Sequence, residues 1–148
     1  MIDCENVVFS TVATALRDKF KPPLTGKLIS VSGDIAAVPA SFPAAMGSEM
    51  DNSIYERTMT LDGAERHASV MWQWEAVSDK SATKKSECKD IMATIDAQML
   101  GVGFMRMPGS GPIGNADATK YRMVARYRAV ISAGESSGEN TVYRIYRR

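Results

Sequence analysis

Residues 119–131, TKYRMVARYRAVI, alternate in character almost without interruption. Tyr121, Met123, Ala125, Tyr127, Ala129 and Ile131 fall on one side, and Arg122, Arg126 and Arg128 on the other. This period of two predicts a long strand with an apolar face and an arginine face. A strand of that kind belongs to a sheet covered on one side only, whose second face meets water, a partner subunit or a polyanion. Residues 68–77, ASVMWQWEAV, alternate in the same way, with Val70, Trp72, Trp74 and Ala76 opposed to Met71, Gln73, Glu75 and Val77. They predict a central strand anchored by aromatic side chains.

Two stretches change to a helical period. After Asp3, which is suited to capping, Val8, Val12, Leu16 and Phe20 recur every four residues, and Phe9 and Ala13 widen the stripe. Lys19 and Lys21 suit the C-terminal dipole of this helix, and Pro22 and Pro23 stop it. A polar run, SDKSATKKSE, leads into the second helix, where Cys88, Ile91, Met92, Ile95 and Met99 form the buried stripe and Gly101 is expected to end it.

Between the helices, KLISV (27–31) and residues 44–50 read as strands, and 51–67 as a protruding loop or hairpin with a turn at Asp62-Gly63. Beyond the second helix come a short strand at 104–107, a Gly/Pro connection (PGSGPIGN, 108–115), the arginine strand, and a C-terminal arm over 133–148 that ends in TVYRIYRR. The order α-β-β-β-α-β-β(-β) sets two helices against five to six strands. It predicts an α+β two-layer sandwich, with both helices packed on one face of a mainly antiparallel sheet. The length of 148 residues and 45% hydrophobic content suit a single domain with a real core, 1–148.

Charge is distributed unevenly. Residues 119–148 hold seven basic side chains against Glu135 and Glu139, a net of +5, and since the chain totals +1, residues 1–118 carry −4. An acidic body with a basic C-terminal part favours head-to-tail self-association or an acidic partner over general nucleic-acid binding. The MIDCENVV start places acids where a secretory signal needs Lys or Arg, and the apolar stretch 34–47 is interrupted by Pro39 and Pro43. Neither a signal peptide nor a membrane span is expected. Cys4 and Cys88 lack a CxxC partner and read as reduced, buried apolar filler.

Candidate chemistry is sparse. His67 is the single histidine, at the edge of a loop, so every His-dependent mechanism must pass through it, and one His with two distant Cys makes a poor zinc set. Asp90 and Asp96, six apart on a helix, fall on different sides and read as solvated surface. Glu75 reads as a cross-strand ion partner for an arginine of the long strand. The glycines of 108–115 lack the GK[ST] ending of a phosphate loop, and Lys80, Lys84 and Lys85 lack the interleaved aromatics of a single-strand binder. The expectation is no enzyme, with no catalytic, cofactor or metal residues.

Three segments taken together, SFPAAMGSEMDNSIYER (41–57), KKSECKDIMATIDAQMLGVGFMR (84–106) and NADATKYRMVARYRAVI (115–131), resemble the small neck proteins of long-tailed bacteriophages, in particular the tail-terminator (tail-completion) family. The resemblance runs from the first helix to Ile131, and no single motif in it specifies an activity. It implies a two-layer α+β subunit that forms a hexameric ring at the head-proximal end of the tail tube, ends tube polymerisation and joins tail to head. The implied location is the neck of the virion after synthesis in the host cytoplasm, and the partners are other copies, the major tail tube protein and a head-completion or stopper protein. DNA would only pass through the channel. Arg122, Arg126 and Arg128, with Arg144 and Arg147 of the C-terminal strand, are then expected at a subunit interface or the channel, and Asp51, Asn52, Tyr55 and Arg57 in a tube-docking loop. Met46-Gly47 departs from the more β-branched strand expected there. The alternatives are a head-closure or adaptor protein of the neck, or a nucleic-acid binding module.

Overall fold

The four-residue apolar spacing near the N-terminus forms α1 (Glu5–Lys19), which buries Val8, Val12, Ala13 and Leu16. The computed structural model describes residues 3–22, 28–35, 39, 41–54, 67–80, 82–113, 119–137 and 140–146. Asp3 does serve the helix start, its Oδ1 accepting the Glu5 backbone N–H at 3.0 Å. After α1 come β1 (Ser30–Ser32), β2 (Ala44–Ile54), β3 (His67–Ser78), α2 (Lys84–Val102), β4 (Met105–Arg106), β5 (Gly111–Ile113), β6 (Tyr121–Ser137) and β7 (Asn140–Tyr146). The class is α+β, with two helices among the described residues and a mostly antiparallel open sheet. Neither helix is long and apolar enough to cross a membrane.

The sheet runs β1-β2-β3-β6, and the outer edge of the 17-residue β6 is shared by β5, β4 and β7 in turn. β5 pairs residues 122–124, β4 pairs 127 and 128, and β7 pairs from Val130 onwards. The mostly antiparallel sheet is of the expected kind, and among the described residues it also takes in β5, which forms inside the Gly/Pro connection. Three residues with a proline carry no strand period, so only the long-range partner makes them a strand. The C-terminal segment likewise lies in β6 and β7, paired within its own sheet, where a separate arm was expected from 133 onwards.

Helix α2 runs through Gly101 to Val102 and is capped by Gly103, two residues beyond the expected glycine. Gly103 adopts φ 113°, its N–H reaching Leu100 O and Met99 O at 3.1 Å, while the Phe104 N–H reaches Met99 O at 2.9 Å. This pair of reversed hydrogen bonds is a Schellman ending, and it requires the left-handed backbone that glycine adopts without penalty. Phe104 and Met99 both enter the core beside it.

Both helices contribute to one core with the inward face of the sheet. Trp72 and Trp74 are fully buried between Val8, Val12 and Leu16 of α1, Ile91, Ile95 and Met99 of α2, and Ala125, Tyr127, Ala129 and Ile131 of β6. Trp72 and Trp74 stack at 5.9 Å, and Phe9 stacks on Trp74 at 6.0 Å. Gly47 stands opposite Trp74 in the β2–β3 register, where the indole lies on the bare glycine backbone. A β-branched residue has no room at that position.

Candidate functional site on the open sheet face

Directly opposed residues of antiparallel strands point to the same face, so the register assigns every side chain to a layer. Opposite the helices lie Met46, Glu75 and Val124 in one row, Ser48, Gln73 and Arg126 in a second, and Asp51, Met71, Arg128 and Met105 in a third. The first row is buried, together with Val77 and Arg122 beside it. The second and third rows are half-buried or exposed. The end of this face beside Arg122 is therefore closed and the uncovered part begins at the Ser48 row, whereas the alternation of β6 predicts exposure along its length.

This division separates the three arginines. Arg122 lies at 7% exposure with Nη1 donating to Glu75 Oε2 at 3.0 Å, so it stabilises the sheet from within and is not on an uncovered face open to water, a partner subunit or a polyanion. Glu75 is the cross-strand ion partner foreseen in its sequence, now in a desolvated setting. Arg126 is exposed, and its Nε donates to Gln73 Oε1 at 2.9 Å. Arg128 is half-buried, and its Nε is buried without a hydrogen-bond partner. Met105, opposite Arg128, is 43% exposed. The patch thus joins two guanidinium groups, an amide and two thioethers, a mixture suited to contact with another macromolecule.

The expected docking residues divide between the layers. Asp51 closes the Arg128 row on the open face, and Asn52 points to the helix side opposite Val70. The β-bulge between Glu49 and Asp51 shifts the alternation by one residue and so decides which of the two reaches the open face. Tyr55, Arg57 and Arg147 lie outside the described residues, and Arg144 is in β7, in register with Ser132.

Around the start of α1 the field is acidic. Burial raises the Glu49 carboxyl above its ordinary range, the Asn52 hydrogen bond opposes this, and the charges of Glu5, Asp3 and Asp51 raise it further. Burial also pushes the neighbouring Cys4 thiol up to about 12, reinforced by Glu49 and Asp3. Cys88 is pushed up to about 12 by burial and then by Glu87, and its sulfur lies 3.1 Å from the Tyr121 carbonyl. Both cysteines are free and buried, as expected of apolar filler.

Sequence reasoning missed one tie. Asp96 is not solvated surface: its Oδ1 accepts the Tyr127 hydroxyl at 3.0 Å and lies 3.2 Å from Arg106 Nη1, joining α2, β6 and β4. The available signal was Tyr127 on an apolar face, since a buried phenol needs a partner. A cleft of about 370 Å³ between the end of α1 and the start of α2 is lined by Lys19, Lys80, Glu87 and Asp90. Within it Glu87 accepts from the Ser78 hydroxyl at 2.7 Å and pairs with Lys80 at 3.9 Å, so these groups satisfy one another. His67 opens β3 as a half-buried residue opposite Ser132. Among the described residues no cluster of His, Cys, Asp and Glu suits a metal ion. No family model matches the chain, and no curated protein matches it.

Proposed function

We propose that this chain is a structural virion protein of the tail-terminator kind, forming a ring at the head-proximal end of a bacteriophage tail tube and joining tail to head. The observation that carries the reading is the open middle of the sheet, where Arg126, Arg128, Met71, Met105 and Gln73 lie together on the face opposite both helices. Arginine and methionine are enriched at protein interfaces because each combines a long apolar stem with a polarisable or hydrogen-bonding end. The resemblance of segments 41–57, 84–106 and 115–131 to phage neck proteins supports the same reading. In this role the chain performs no reaction. It works by shape and contact, with the arginine face at a subunit boundary or the channel.

The test is to mix purified chain with growing tail tubes and follow tube length and end density by electron microscopy. Tubes of defined length, each with extra density at one end, are expected. Unrestricted growth without end binding overturns the proposal. Binding to DNA-filled heads in place of tubes would transfer the protein to head closure, and salt-sensitive retention on DNA alone would make it a nucleic-acid binding module.

A further inference from the structure

We propose that copies of this chain join edge to edge, the outer edge of β2 in one copy pairing antiparallel with the outer edge of β7 in the next. This deepens the ring reading above and rests on it.

The register places both edges at the ends of the same row: Ile54 opposes Ala68, Ala68 opposes Ile131, and Ile131 opposes Ile145. The sheet is thus four strands wide there. Among the described residues, β1 accompanies β2 only as far as Met46, and no strand lies along the far side of β7. Each successive pair in the row is antiparallel, so β7 runs opposite to β2. A purely sideways move overlaps the two edges only at Ser53–Ile54 and Ile145–Tyr146, but a further slide of four residues along the strands keeps every residue on its face, sets Asp51 opposite Arg144 and continues an antiparallel ladder across the boundary.

Charge selects this pairing over others. β2 contains Glu49 and Asp51 and no basic residue, with Asp3 and Glu5 adding to the acidic field, and its edge exposes Met50, Asp51 and Ser53. β7 contains Arg144 and no acidic residue, and Arg147 and Arg148 follow it in sequence. Acidic groups and a bulge ordinarily protect an edge strand from indiscriminate pairing. Here they repel a second β2 and admit a basic strand. Because the two edges differ, the contact is heterologous and repeats into a ring or a filament, not a closed dimer.

The test uses Asp51→Arg and Arg144→Glu in the full chain, with folding checked by circular dichroism. Sedimentation should show self-association of the wild type, and each single variant should associate roughly tenfold more weakly or worse, as like charges meet. An equimolar mixture of the two variants should recover association, because every boundary of an alternating assembly again pairs an acid with a base. Hydrogen exchange in the wild-type assembly should slow at amides 47–54 and 140–146. Single variants that assemble normally, a mixture without recovery, or unprotected edge amides in a wild-type ring overturn the edge contact and leave the ring reading standing. A wild type that stays monomeric with tubes present also overturns the edge contact. In that case tube capping alone decides whether the terminator reading survives.

Discussion

Gly47 lies so close to Trp74 that an added Cβ stands 2.5 Å from three indole atoms, Cδ2, Cε2 and Cε3. The ring is held by Phe9 and Trp72 and cannot retreat. Gly47→Ala is expected to cost about 1–3 kcal/mol, the range for overpacking a filled core. Urea denaturation should show the loss, and it should shrink in a Trp74→Leu background because the two positions couple. An unchanged midpoint in Gly47→Ala would sink the close-contact account. Glu75 and Arg122 present the opposite problem, two charges that are tolerable only together. Glu75→Gln removes the carboxylate that the buried Arg122 Nη1 donates to and is expected to cost about 3–5 kcal/mol, whereas joint replacement by Leu and Met restores most of it. Equal losses in the single and the double variant would show that the pair is not the cause.

The elements are joined by few polar ties across an apolar layer, and titration exposes that layer. Folded Cys4 and Cys88 hold their protons up to about 12, whereas an unperturbed thiol ionises near 9.0. Above pH 9 the unfolded chain therefore loses protons that the folded chain retains. Their contribution to stability is complete below 9 and lost as pH rises from 9 to 12. Urea midpoints should fall over that window in the wild type and fall less in a Cys4→Ala/Cys88→Ala protein. Tyr127, held protonated first by burial and then by Asp96, adds a loss of the same sign above pH 10, so the interval from 9 to 10 isolates the thiols. Neither thiol should react with a disulfide reagent at pH 8 until denaturant is added. Rapid native labelling would contradict the burial of both elements that carry them.

For the whole molecule, three arginines of one strand face have parted into two roles. Arg126→Ala and Arg128→Ala together are expected to abolish tube capping while changing stability by less than about 1 kcal/mol, since neither side chain makes an ion pair within the fold among the described residues. Arg122→Ala should instead unfold or strongly destabilise the chain. Capping assays with thermal melts on the same preparations separate these outcomes. A capping-competent double variant would remove the arginine face from the proposed interface.

Local pattern made much of this architecture legible. The four-residue stripes of α1 and α2 and the alternation of β3 and β6 arise because a side chain's direction follows from its own backbone geometry, so periods of 3.6 and 2 survive in the sequence. Glu75 was likewise recognisable as an ion partner, since it alternates with the tryptophans of a strand facing arginines. What could not be read depended on neighbours far along the chain. The strand at 111–113 exists only through β6, and the C-terminal strand found its partner inside its own sheet. The choice of Gly103 over Gly101 depended on a left-handed backbone that composition does not reveal. Arg122 and Arg126 are both arginines at the same alternating phase, but burial belongs to the place where a residue lands in the packed sheet. One became an internal counter-charge, and the other remained available for contact.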